Sequence, residues 1–233
     1  MQSRNLLRNT QVHCYGGAMT HAPATAGPAP MRRRDLQKEQ TRLDLALAAF
    51  RLAKAEGLAK VRVPQIAEAV GVAPRTFNNY FPGKEAAIVW PATLRGARLA
   101  ADLAGRPAGE PLADALEKVV AGLYRPGRQD GLPEGWLEEF RALVAAEPAL
   151  HGEYLKAQTG VERELAQVIA RRTGTAEGGL ETLVLAGVVM AAERAAVLYW
   201  LRQAPNSAPL AEVAAAAVGM AVRGPATRSA TLP

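Results

Sequence analysis

Apolar positions recur at helical spacing along nearly the whole chain, once a leader without period is passed. From Arg32 to Glu56, Leu43, Ala46, Ala49, Phe50 and Ala53 repeat at intervals of three and four, which predicts one long helix closed by Gly57. Ile66, Ala67 and Val70 then mark a face of a short helix whose first turn accepts Pro64, because an N–H missing there has no helical partner to lose. Gly71 supplies a left-handed turn, Val72 plugs it, and Pro74 opens a second short helix running to Phe81, with Phe77 facing back into the first. Two helices that cross steeply need a small residue four places before the turn glycine, and Ala67 stands there. The order predicts a helix-turn-helix.

Pro82-Gly83 breaks that unit and Lys84-Glu85 starts the next helix. Further helices are expected over Lys84 to Leu103 (bent by Pro91), Pro111 to Tyr124, Pro133 to Ala146, Pro148 to Arg172, Gly179 to Arg202 and Pro209 to Val222. No alternating run bounded by turn signals argues for a strand. The expected fold class is all-α, an N-terminal three-helix helix-turn-helix domain over 32–83 followed by a C-terminal helical domain over 84–224. Residues 1–31 are expected to be a disordered leader, with Met19 and Met31 as alternative starts, and 225–233 a tail.

Composition narrows the chemistry. With 49% apolar and 21% charged residues in a chain of 233, a packed core is expected. The single cysteine, Cys14, cannot form an internal disulfide, so a reducing compartment, the cytoplasm, is the expected address. Of three histidines, His13 and His21 lie in the leader and only His151 in the body, where it reads as a surface residue. No cluster exists for zinc, no histidine-based nucleophile can be built around more than one residue, and the carboxylate pairs Glu138-Glu139 and Glu162/Glu164 are spaced like solvated helix faces. No catalytic residue, metal or cofactor is therefore expected, and the protein reads as not an enzyme. The apolar run Leu180 to Leu201 is interrupted by Glu181, Glu193 and Arg194, leaving 11 uncharged residues between the two glutamates. That is far short of the ~20 a membrane span needs, so a buried helix is expected and no membrane partner.

Charge is uneven. Residues 1–31 carry two basic and no acidic side chains, residues 32–90 carry 11 and six, and residues 91–233 carry 15 and 16. The net +6 thus comes from the first 90 residues, the footprint of a nucleic-acid-binding module on a neutral partner domain. Arginine outnumbers lysine 22 to 6, so arginine richness by itself carries little; the asymmetry carries the argument.

The stretch IAEAVGVAPRTFNNYFPGKEAAI, Ile66 to Ile88, resembles the DNA-binding signature of the TetR/AcrR family of bacterial transcriptional regulators. The resemblance implies that the helix Pro74 to Phe81 enters the major groove of double-stranded operator DNA, with Arg75 and Asn78 reaching base edges. Thr76, Asn79, Tyr80 and Lys84 would hold phosphates, and Thr41 on the first helix is a further backbone contact. Where family members often carry a hydroxyl and a base-reading polar residue at the start of the second helix, Arg62, Val63 and Pro64 stand here, which leaves Gln65 as the candidate. Arg32 to Arg34 read either as a solvated helix start or as an arm on DNA phosphates.

A switch of this kind needs an effector cavity, and Tyr124, Trp136, Phe140 and Tyr154 are the expected lining, with ordinary core as the alternative for each; Tyr199 and Trp200 complete the aromatics of these helices. Glu193-Arg194 reads as a polar cavity wall or an interface ion pair. Gly187, Ala191 and Ala195, at four-residue spacing, leave a helix face almost bare. With Val184, Val188 and Leu198 beside them, and Val213, Ala217 and Met220 on the last helix, they form either the seam of a homodimer or an internal helix contact. The expected function is a homodimeric, ligand-responsive regulator, a repressor on a palindromic operator, released by a small apolar or amphipathic effector. The alternative is a helical effector-binding or scaffold protein whose basic N-terminal domain binds nucleic acid nonspecifically or a partner protein.

Overall fold

The computed structural model describes residues 33–125, 131–203 and 208–224; the expectations for the leader and the tail lie outside them. The described residues form helices and turns without a strand: α1 (Arg33–Glu56), α2 (Val63–Val70), α3 (Pro74–Asn78), α4 (Lys84–Ala104), α5 (Leu112–Leu123), α6 (Trp136–Ala146), α7 (Pro148–Thr173), α8 (Leu180–Trp200) and α9 (Leu210–Arg223).

The helix-turn-helix closes as its spacing requires. Gly71 sits at φ 75°, and the Val72 N–H donates to Ala67 O at 2.9 Å, capping α2 and turning the chain into α3. Ile66, Ala67 and Phe77 are fully buried at the crossing. The α-helical part of α3 is shorter than expected: it stops at Asn78, and Tyr80 and Phe81 follow in a turn whose N–H groups both donate to Phe77 O, at 2.9 and 3.0 Å. Helix α6 likewise starts at Trp136 rather than Pro133, because Gly135 at φ 74° precedes it. Helix α8 stops at Trp200, two residues before the expected end.

Two apolar clusters make the core. The first joins Leu45, Ala49 and Phe50 of α1, Ile66, Phe77 and Phe81, and Ala87 to Val89 of α4, and continues into Trp136, Phe140 and Val144 of α6 and Leu150 and Tyr154 of α7. The second joins the end of α4 to α5, the rest of α7, α8 and α9. The boundary expected between 83 and 84 is thus a boundary in sequence and not in packing. Helix α4 runs from Lys84 through a buried Pro91 to Ala104 and serves both clusters. Between them, Gly96 permits a close crossing: a Cβ there would lie 2.5 Å from both methyls of Val161 on α7. Leu43, expected on the buried face of α1, is only half-buried, and lies under the start of α6's connection, where a Cβ on Gly131 would meet its Cδ2 at 2.5 Å.

The far rim is fastened by charge. Arg172, in the last turn of α7, donates to the carbonyls of Arg106, Pro107 and Glu110 at 3.1, 2.6 and 2.7 Å and so pins the α4–α5 loop. Glu110 in that loop accepts from Arg106 Nε and from Lys118 Nζ, both at 2.6 Å, and these partners hold its carboxyl down to about 2. By length and composition α8 is the described helix able to cross a membrane; it packs against α7 and α9 and buries Glu193, but where a buried helix was expected only 39% of its apolar stretch is buried.

Candidate functional site

The exposed surface of the helix-turn-helix follows from what is buried beneath it. Phe77 fills the crossing completely, which turns Arg75, Asn78 and Asn79 outward to solvent, with Thr76 and Tyr80 half-buried at the edges. Asn79 is the C-cap of α3 rather than a mid-helix residue. Thr41 lies in the third turn of α1, its hydroxyl donating to Gln37 O at 2.9 Å. It shares an open cleft of about 750 Å³ with Tyr80, Arg34 and Lys38, so two of the expected phosphate-holding residues face one space with two cations and one carboxylate, Asp35. Lys38 is a member that motif reading missed; nothing in its spacing sets it apart from other charges on α1.

Two expected DNA contacts carry structural duties. Lys84 is the clearer case: its ammonium donates to Leu58 O at 2.6 Å and Val61 O at 3.0 Å, tying the start of α4 to the α1–α2 connection. Two of its three donors are spent inside the module. Gln65 uses its side-chain oxygen to accept the Arg62 N–H at 2.8 Å, the reciprocal half of an N-terminal cap, which leaves only its amide N–H groups free for a base. Arg42 is also withdrawn from the surface, its guanidinium carbon lying 5.4 Å from the Phe81 ring centre and 4.9 Å from that of Trp90.

The four aromatics expected to line a cavity do line one, brought together from three helices. Trp136 stacks on Phe140 at 4.7 Å and 14°, and Phe140 meets Tyr154 edge-on at 5.9 Å. Tyr124 closes the other side and gives its hydroxyl proton to the Glu193 carboxylate. The free space between them is only about 30 Å³, room for a water and little more. Polar groups that the sequence left unassigned complete the lining: Arg95, Arg141, Gln158 and, of the Glu193-Arg194 pair, Glu193. Arg141 lies with its guanidinium carbon 4.9 Å over the Tyr154 ring, and Arg95 is 5.8 Å from Tyr124 and 5.5 Å from Trp136. Burial, reinforced by the Glu193 charge, pushes the Tyr124 hydroxyl well above its ordinary pKa; burial also raises Tyr154, against the opposing pull of Arg141. Both tyrosines therefore remain donors.

The cavity abuts the helix-turn-helix directly. The outer face of Trp136 meets Phe50 of α1 at a ring-centre distance of 6.2 Å, and Lys54 of α1 pairs with Glu139 on the solvent side of the same crossing. Besides α4, bent at Pro91, a shorter path between the domains thus runs from α6 to α1, which no local spacing could signal.

On the opposite side, α8 and α9 present an apolar face. Val184, Leu198 and Met220 are 53%, 43% and 53% exposed, Ala191 and Ala195 are exposed, and Gly187, Val188, Val213 and Ala217 are half-buried. A Cβ on Gly187 would meet nothing within 4 Å, so no contact inside this chain requires that glycine. An open groove of about 450 Å³ runs between Ala195, Tyr199, Val213, Ala217 and Met220. His151 is exposed, as expected.

The family model for bacterial regulatory proteins of the tetR family matches residues 46–87, and that of the MftR C-terminal domain matches residues 110–225. The HTH-type transcriptional regulator TcmR of Streptomyces glaucescens is 36% identical over 164 residues, 67% of this chain and 71% of that protein. Among solved structures, a TetR-family transcriptional regulator from Rhodococcus sp. superposes with a TM-score of 0.52 at 21% identity, covering 78% of this chain and 96% of its own. Another, from Mesorhizobium loti, gives 0.52 at 14%, covering 80% and 97%. At such identities the structures speak for the fold alone.

Proposed function

This chain belongs to the tetR family of bacterial regulatory proteins and is a transcriptional regulator, not an enzyme; from that premise we propose that it is a homodimeric repressor of a palindromic operator, released when a small amphipathic molecule opens the aromatic cavity. The observation that carries the reading is the contact between cavity and DNA-binding module: Trp136, a wall of the cavity, rests on Phe50 of the first helix. An occupant larger than the existing space must move that wall, and movement of Trp136 reaches α1 without an intermediate. Two α3 helices held by a dimer must match major grooves about 34 Å apart or a multiple of it, so a small rotation of each module lowers affinity for DNA by linkage.

Within each module, Arg75 and Asn78 are the base-reading residues of this proposal and Thr41, Thr76, Asn79 and Tyr80 its phosphate contacts, with Gln65 limited to its amide N–H groups and Lys84 acting chiefly as a clamp. The dimer seam is the face of Val184, Gly187, Val188, Ala191, Ala195 and Leu198 against Val213, Ala217 and Met220 of the partner. Its support is the exposed apolar surface of Val184, Leu198 and Met220 beside the bare Gly187. The test is selection of genomic fragments by the purified protein. A two-fold symmetric sequence recovered reproducibly supports the reading, and recovery without sequence preference overturns it in favour of nonspecific nucleic-acid binding.

A further inference from the structure

The cavity holds buried polar groups that the chain leaves unpaired: N–H donors, and one acceptor, Gln158 Oε1. Trp136 is 2% exposed and its indole N–H has no acceptor; the Nε–H of Arg141 is buried and has none either. The two tyrosine hydroxyls are protonated, and that of Tyr124 is already given to Glu193. Among the charged groups of the lining, two are guanidinium groups, Arg95 and Arg141, and one is a carboxylate, Glu193. A buried N–H without an acceptor is retained at a cost, and an occupant bearing acceptor oxygens removes that cost where an apolar one does not. A cationic occupant would meet the Arg141 guanidinium as a like charge.

Shape adds the rest. Trp136 lies flat on Phe140, and Arg141 is spread over the ring of Tyr154, so once Trp136 is displaced a planar ring can take its place against Phe140 while its acid group meets the guanidinium edge. The cavity is separated from an outer cleft of about 360 Å³ by side chains that line both, Tyr124, Trp136, Leu123 and Leu137 among them. The partition is one side chain thick.

Resting on the effector-released reading above, we propose that the effector is a planar aromatic acid that passes in from this cleft by displacing Trp136, its anionic oxygens held by the Arg141 guanidinium and the Trp136 indole N–H. Specificity then resides in Arg141, which selects charge, and in the ring stack, which selects flatness.

The test uses the full chain and matched pairs of acid and neutral amide: benzoate, 1-naphthoate and anthracene-9-carboxylate, each against its carboxamide, titrated calorimetrically at neutral pH. At least one acid is expected to bind about tenfold or more tightly than its amide, the worth of one charge-assisted hydrogen bond. Arg141→Gln should bring acid and amide level, and Arg141→Lys should restore part of the preference, which a merely unfolded variant cannot do. In ¹⁵N spectra the indole N–H signal of Trp136, assigned with Trp136→Phe, should move further downfield with the acid than with the amide. If no acid in the series outbinds its amide, or if the preference survives Arg141→Gln in a folded protein, the proposal is overturned. Operator affinity measured with the same acid separates the two layers: an acid that binds through Arg141 yet leaves DNA affinity unchanged upholds the anion site and overturns the effector reading on which it was placed.

Discussion

The helix-turn-helix and the aromatic cavity are built by opposite strategies, the first inside one apolar cluster and the second where two clusters meet. In the first, every decisive residue lies between Ile66 and Phe81: a small residue at the crossing, a glycine at φ 75°, a phenylalanine plug and a polar outer face. In the second, the polar lining comes one residue at a time from α4, α6, α7 and α8, as Arg95, Arg141, Gln158 and Glu193. The DNA-facing surface is thus fixed by local turn geometry and presents its polar groups outward, whereas the cavity exists only while four helices are packed and keeps its polar groups inside. A local unit makes a rigid reader; a non-local one, holding donors in search of acceptors, makes a part that an occupant can rearrange.

The largest effect should come from separating the two readers from each other. Ala191→Arg places a charge on the bare face of α8 and should yield monomers in sedimentation, with operator affinity falling by roughly 10² to 10⁴-fold as two linked half-sites become independent. Each helix-turn-helix should keep its own fold, because the first cluster does not include α8. A variant that stays dimeric would place the seam on another surface.

The reader itself can be split into base contact and clamp. Arg75→Ala should cost about 1 to 3 kcal/mol and relax preference at one base position in each half-site. Lys84→Met should instead lower the melting temperature, since the carbonyl of Leu58 loses a partner worth about 1 to 3 kcal/mol and that of Val61 keeps only Arg62. Its salt dependence of DNA binding should stay unchanged. A log–log slope shallower by about two for the dimer would return Lys84 to the phosphates.

These cases show what the sequence could and could not convey. The order and type of the helices, the αL turn at Gly71, the burial of Ala67 and Phe77 and the grouping of Tyr124, Trp136, Phe140 and Tyr154 all follow from spacing or residue character, and the structure has them. Lys84 was legible as a cation in a motif, but its partners are two carbonyls more than 20 residues upstream, and a backbone acceptor leaves no mark on composition. The same blindness covers Arg172, which binds three carbonyls of the α4–α5 loop, and Gly96, whose reason is Val161 on another helix. Helical periodicity reports that a face is buried. It does not report against what, and so the continuity of one cluster from α1 to α7 was invisible.

The link between the two regions can be cut at low cost in stability. Phe50→Leu conserves most of the buried volume and should cost less than about 1.5 kcal/mol, yet it removes the ring that meets Trp136. Operator binding without a cavity ligand should be near normal, and the loss of affinity caused by a ligand that enters the cavity should shrink severalfold. An undiminished response would move the coupling to α4, where Pro91 sits between the clusters.

The smallest effect distinguishes the regions by pH. The fastening of the helix-turn-helix runs from Lys84 to neutral carbonyls and has no acid to titrate, whereas the far rim is fastened partly through Glu110. Hydrogen bonds from Arg106 and then Lys118 hold the Glu110 carboxyl at about 2 in the folded state, against an ordinary 4.5. A lowered folded pKa means that its contribution is fully present above pH 4.5 and is lost progressively as pH falls toward 2. Exposure of Lys118 and of part of Arg106 keeps that contribution small and sensitive to salt, and Arg172 continues to hold the loop when Glu110 is protonated. Melting temperature measured against pH should therefore show a shallow acid limb between 4.5 and 2 that Glu110→Gln flattens and that high salt reduces in the unsubstituted protein. An acid limb of the same slope in Glu110→Gln would assign it to other carboxylates, and the rim would then be held, like the helix-turn-helix, by carbonyls alone.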